Sequence, residues 1–219
     1  MHRNLLAVFV AMFAATAMGN DSVAEPITIA ALGDSLIHGY GLPDDQGFVP
    51  QLQNALNEHH VDVLILNAGV SGDTSAGGLA RVEWTLTPDV DGLIVSLGGN
   101  DALRALDPKM VRQNLDGILK AAQNHAVPVL LVGISSPSNF GPEFKTQFDA
   151  IFPELATEYG SPLYPNFLGA LVALPDRENV LSNYMQSDGI HPNAKGVSLI
   201  VEDMAPLVIE LIEQSASSE

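Results

Sequence analysis

Ile27-Thr28-Ile29-Ala30-Ala31-Leu32-Gly33-Asp34-Ser35-Leu36 is the stretch whose reading decides the fold. Its first half is uncharged, apolar and rich in β-branched residues, the composition of a strand buried on both faces, and it stops at a glycine followed by an acid and a hydroxyl. Strands buried on both faces belong to parallel α/β sheets, where ligands and reactive groups gather at the carboxyl ends. Ser35 is therefore a candidate nucleophile by position. Asp34 and Ser35 also suit a helix start, since either side chain can accept a hydrogen bond from a free N–H of the first turn.

Upstream, Met1-His2-Arg3 precedes an apolar run from Leu5 to Ala17 and a small-residue exit at Ser22-Val23-Ala24. One positive charge, a core too short to cross a bilayer and that exit predict a secretory signal peptide over residues 1–24, with Ala15-Thr16-Ala17 as a second possible exit. Residues 25–219 then form one domain, which is expected to be periplasmic or secreted and without a stable membrane anchor. The chain contains 0 cysteines, which excludes disulfides, a lipid-modified cysteine and a cysteine nucleophile. Its formal net charge of -17 argues against nucleic acid and anionic membrane surfaces as partners.

Downstream, apolar runs alternate with helical spacing. Strands are expected at 62–67, 92–97 and 127–134, with a weaker one near 162–164; helices are expected at 46–58, 74–86, 108–125, 142–159 and 192–214. Asp107 and Pro108 supply a helix cap and first turn, and Pro206 should kink or split the last helix. Such alternation implies an α/β fold, a parallel sheet with helices on both faces.

If Ser35 does chemistry, other strand ends should carry its partners. Asn67-Ala68-Gly69-Val70-Ser71-Gly72-Asp73-Thr74 follows the second strand, and Gly72 can offer a backbone N–H to an oxyanion or merely a positive φ ahead of a helix capped by Asp73 or Thr74. Ser71 and Ser75 are rival nucleophiles. Leu97-Gly98-Gly99-Asn100-Asp101 ends the third strand, where the Asn100 amide is a neutral donor for developing negative charge. Near the C-terminus, Ser187-Asp188-Gly189-Ile190-His191-Pro192 places an acid and a histidine three residues apart on one loop. The carboxylate can hold Nδ1–H so that Nε2 is free to accept a proton. His59, His60 and His125 read as surface residues, and His38 as lining the cleft. No His-x-x-x-His or Glu-x-x-His pair accompanies Asp188 and His191, so no metal is expected.

Taken together, Gly33-Asp34-Ser35-Leu36, Gly72, Gly98-Gly99-Asn100-Asp101 and Asp188-Gly189-Ile190-His191-Pro192 resemble the sequence blocks of the GDSL, or SGNH, hydrolases. Within that group the chain is similar to bacterial periplasmic arylesterases, acyl-CoA thioesterases and lysophospholipases. The resemblance implies a three-layer αβα sandwich, flavodoxin-like, with a central parallel sheet of about five strands. It also implies Ser35, Asp188 and His191 as catalytic residues, and Ser35 N–H, Gly72 N–H and the Asn100 side chain as the oxyanion hole.

The implied activity is hydrolysis of carboxylic esters or thioesters of acyl chains through an acyl-enzyme, without cofactors, by a monomer acting on a small-molecule ester or lipid. Removal of acetyl groups from carbohydrate and a non-catalytic binding module are the alternatives. The residues expected to bind substrate are Leu36, Ile37, Tyr40, Leu103, Phe140, Phe144 and Ile190, an apolar set suited to an alkyl chain. The Ser135–Phe144 segment should wall the cleft but carries no family motif.

Overall fold

The structure is a computed structural model that describes residues 26–217, so the expected signal peptide at 1–24 lies outside the described residues. The elements run β1 (Ile27–Gly33), α1 (Ser35–His38), α2 (Phe48–Glu58), β2 (Val63–Gly69), α3 (Ser75–Thr85), β3 (Gly92–Ser96), α4 (Gly99–Leu103), α5 (Pro108–Asn124), β4 (Val129–Val132), a 3-10 turn (Ser138–Phe140), α6 (Pro142–Tyr159), β5 (Leu163–Tyr164), α7 (Gly169–Val172), α8 (Arg177–Asn183) and α9 (Ala194–Ala216). The strands form one parallel sheet in the order β2-β1-β3-β4-β5. This is the three-layer αβα sandwich expected from the sequence.

The period of two along β1 explains the layers. Ile29 and Ala31 point into one core, where they meet Phe48 and Leu52 of α2 and Met204 and Val208 of α9. Ala30 and Leu32 point into the other, with Val111 and Leu115 of α5 and Phe148 and Phe152 of α6. Each of those four β1 side chains is at most 1% exposed, so β1 is covered on both faces, as its uncharged sequence requires. No helix among the described residues is long and apolar enough to cross a membrane.

The last helix departs from expectation at both ends and in its middle. Pro206 lies inside α9 without splitting it. It sits on the exposed face, as does Glu202 four residues earlier, so the carbonyl that loses its partner is turned to solvent. Pro192 stands outside the helix, bridged to Met185, and Asn193 is the cap, its Oδ1 accepting from Lys195 and Gly196 N–H. Asp107 accepts from Lys109 N–H and Pro108 opens α5, as its sequence predicts.

The sheet order reverses at β1. The chain leaves β1 for β2 on one side and returns to β3 on the other, which opens a crevice beyond their carboxyl ends. Gly33 is in register with Gly69 of β2 and Ser96 of β3. The three segments that leave these positions begin Asp34-Ser35, Val70-Ser71-Gly72 and Leu97-Gly98-Gly99-Asn100, so all three converge on the crevice.

Candidate active site

The site begins with the abrupt turn from β1 into α1. Asp34 caps that helix, its Oδ1 accepting from Leu36 N–H at 3.0 Å. A Cβ at Gly33 would collide with the Ile37 side chain, so only glycine lets the helix fold straight back over the strand end. Capping and the placement of the Ser35 hydroxyl are therefore two consequences of one geometry, and Ser35 starts the helix with its side chain lining the crevice.

That hydroxyl lies 2.8 Å from His191 Nε2, and His191 Nδ1 lies 2.7 Å from Asp188 Oδ2. Among the described residues, Ser35 is the one serine hydrogen-bonded to a histidine. Asp188 also accepts from Ile190 and His191 N–H through Oδ1. Burial would raise the Asp188 carboxyl, but these hydrogen bonds outweigh it and draw it down to about 2. It is thus an anion throughout the neutral range, fixed to orient the imidazole. The Tyr40 ring packs on that imidazole at 4.9 Å between centroids. Gln186 ties the two loops together, its N–H donating to His191 O and its Nε2 to Tyr40 O and Pro192 O.

Ser35, Gly72 and Asn100, the residues whose N–H groups the resemblance implies as oxyanion donors, all line one cavity. Leu36 N–H is taken by Asp34, while Ser35 N–H is one of the unpaired groups every helix start leaves. Gly72 sits at φ +83°, a conformation that its missing side chain allows. Asn100 is on α4, whose cap Gly98 has φ +118°, and its Nδ2 donates to Asp73 O at 2.9 Å with a longer contact of 3.4 Å to Asp34 Oδ2. Asp34 itself is 2% exposed, and burial pushes its carboxyl up to about 6 against the pull of Leu36 N–H, His191 and Asn100.

These groups open into a cavity of about 380 Å³. Of the residues expected to bind substrate, Leu36, Tyr40, Leu103 and Ile190 line it. Phe140, Phe144 and Ile37 do not. Phe144 stacks on Phe148 against the α5–α6 core and Phe140 meets its edge, while Ile37 is fully buried under α1. His38 also lies outside the cavity, exposed on the far side of α1. Ser71 lines the cavity without a histidine partner, and Ser75 is buried against Asp101.

Ser135 and Pro137 line the cavity from the segment expected to wall it, whereas sequence reasoning missed Ile134, Asn166 and Leu168, of which Ile134 and Leu168 extend the apolar wall. Their signal was topological rather than compositional. Ile134 follows the end of β4 and Asn166 the end of β5, the same rule that pointed to Ser35, Gly72 and Asn100.

Residues 31–199 match the GDSL-like Lipase/Acylhydrolase family. The chain belongs to that family. It is accordingly a carboxylic ester hydrolase. It is similar to Esterase TesA of Pseudomonas aeruginosa, 36% identical over 186 residues that cover 84% of this chain and 89% of that protein. Thioesterase 1/protease 1/lysophospholipase L1 of Escherichia coli K12 is 35% identical over 190 residues, 86% of each chain. Among solved structures, the SGNH-hydrolase family esterase AlinE4 is 42% identical with a TM-score of 0.69, covering 86% of this chain and 98% of its own. That level of identity carries the family as well as the fold.

Proposed function

We propose that this protein is a serine hydrolase of acyl esters and thioesters, of the kind its esterase, thioesterase and lysophospholipase relatives are named for, acting after export as a monomer. The observation that carries the reading is the unbroken hydrogen-bond path from Ser35 Oγ through His191 to Asp188 at the floor of an apolar cavity. His191 Nε2 takes the Ser35 proton as Oγ attacks the carbonyl carbon. The carbonyl oxygen becomes an oxyanion held by Ser35 N–H, Gly72 N–H and Asn100 Nδ2, donors that are fixed before the charge develops. On collapse the C–O or C–S bond to the leaving group breaks, and that group takes the proton from His191. Water then attacks the acyl-serine, passing its proton to His191, and the acid leaves with Ser35 restored. Asp188 stays ionised throughout, holding Nδ1–H and balancing the imidazolium.

The wall favours acyl over acetylated-sugar substrates. Leu36, Leu103, Ile134, Leu168 and Ile190 can shed water around an alkyl chain, whereas a sugar site needs many more hydrogen-bonding side chains. The test is a fluorophosphonate probe together with a panel of p-nitrophenyl esters, acyl-CoA, lysophospholipid and acetylated xylan. The wild type is expected to be labelled at Ser35 and to turn over the medium-chain substrates, and Ser35→Ala to lose both, with turnover reduced by about 10⁴–10⁶. Labelling at another serine, or turnover by Ser35→Ala within tenfold of wild type, refutes the assignment.

A further inference from the structure

Arg81 is one of only nine cationic side chains in a chain of net charge -17, and it does not face solvent. It stands on α3 with its side chain 23% exposed, and its guanidinium reaches three separate segments. Nη2 donates to Gly33 O at 2.9 Å, Nη1 to Ala68 O at 2.7 Å and Nε to Asp73 Oδ2 at 2.8 Å. Gly33 ends β1 two residues before Ser35. Ala68 is the penultimate residue of β2, just before the strand gives way to the Gly72 loop.

Asp73 extends this reach. Its N–H donates to Val70 O at 3.1 Å, closing the turn that contains Gly72, and its own carbonyl accepts from Asn100 Nδ2 at 2.9 Å. Its side chain, 13% exposed, accepts from Thr74 N–H as well as from Arg81. One guanidinium therefore fixes the strand end that carries Ser35, the loop that carries Gly72 and, through Asp73, the amide of Asn100. A lysine could supply the charge but not a planar fork with donors in three directions. The sequence makes room for it: a Cβ at Gly77, in the first turn of α3, would collide with the Asp73 carboxylate, so a poor helix former stands where the carboxylate needs the space.

We propose that Arg81 is a positioning residue for the oxyanion hole, setting the mutual placement of its three donors through Asp73 without touching substrate. The inference rests on the assignment of Ser35 N–H, Gly72 N–H and Asn100 as those donors. Displacement of preorganised donors weakens the transition state and leaves ground-state binding alone, because the oxyanion exists only in the former.

Arg81→Lys and Asp73→Asn separate this role from a structural one. Both variants are measured for kcat and KM on p-nitrophenyl butyrate, for thermal midpoint, and for inhibition by a trifluoromethyl ketone, which forms a tetrahedral oxyanion adduct with the nucleophile. The expected result is a folded protein with kcat lowered about 10- to 100-fold, KM within twofold of wild type, and ketone affinity lowered in proportion to kcat/KM. Arg81→Ala should recover part of its kcat in millimolar methylguanidinium, a rescue that does not depend on Arg81→Lys folding. Values of kcat within threefold of wild type in both Arg81→Lys and Asp73→Asn, a loss confined to KM, or a lowered midpoint with normal kcat in the folded fraction overturns the proposal. Failure of the wild type to hydrolyse esters or to be labelled at Ser35 strikes the assigned function instead, and the two failures are thereby told apart.

Discussion

Asp34→Asn tests the electrostatics of the site through stability rather than turnover. The Asp34 carboxyl rises from its ordinary value of 3.8 to about 6, burial being the principal cause. A raised value means that the folded chain holds the proton more tightly than the unfolded one. Stability therefore falls as pH climbs from the unfolded value, and the penalty is complete once pH passes about 6. A rise of this size corresponds to about 3 kcal/mol above pH 7, and at pH 5 to about half of that. Asparagine removes the titration while keeping an oxygen to accept from Leu36 N–H. Its amide would face Asn100 Nδ2 where a carboxylate oxygen now stands at 3.4 Å, a loss of about 1 kcal/mol that does not depend on pH. The difference between the two pH values is thus the sharper quantity. Urea unfolding of both proteins at pH 5 and pH 8, followed by circular dichroism, should show the variant gaining about 1.5 kcal/mol more over wild type at pH 8 than at pH 5. An advantage equal at the two values, or larger at pH 5, refutes the claim that Asp34 is buried at the expense of its charge.

Two further outcomes follow from the geometry. Asn100→Ala should lower kcat by about 10²–10³ with little change in KM, since the hydrogen bond its amide would donate to the substrate oxygen strengthens only as charge develops; stopped-flow or steady-state assays that find a raised KM and unchanged kcat would make Asn100 a ground-state contact instead. Across p-nitrophenyl esters from acetate to octanoate, kcat/KM should climb severalfold for each added pair of carbons, from up to about 0.8 kcal/mol per buried methylene, until the cavity is filled. Acetate exceeding octanoate would favour the carbohydrate acetylesterase reading.

Much of this fold was legible because one buried strand carries two kinds of information. The uncharged run Ile27–Leu32 required cover on both faces, and the break at Gly33 marked where the chain had to leave the sheet. Asp188 and His191 were legible because three residues on one loop keep them within reach of each other wherever the loop lies. What the sequence hid was anything that depends on which face of an element turns outward. Pro206 reads as a helix breaker until its exposed position shows that solvent replaces the lost hydrogen bond. Phe140 and Phe144 read as cleft residues, yet Phe144 stacks on Phe148 against the core and Phe140 meets the Phe144 ring while remaining 39% exposed. Beside Pro137 of that segment, the wall is supplied by Ile134 and Leu168, aliphatic residues with no motif to distinguish them from interior packing.

Several departures from local rules lie around the crevice. Gly72 and Gly98 hold φ values that most side chains cannot adopt. Gly77, in the first turn of α3, leaves room for the carboxylate of Asp73. Asp101, next to Asn100 and 1% exposed, has no cationic partner among the described residues; Ser75 N–H at 2.8 Å and Ser75 Oγ at 2.6 Å serve instead, with Asn114 donating to that hydroxyl at 2.9 Å. These are the first donors of α3, where the helix dipole favours negative charge. The consequence is mechanical: α4, which carries Asn100, is fastened to the start of α3, and α3 carries Arg81, which is fastened to the ends of β1 and β2. Asp34, Asp73 and Asp101 thus tie the segments that carry Ser35, Gly72 and Asn100 into one frame, the arrangement that the proposed mechanism requires if its donors are to be in place before the charge they stabilise appears.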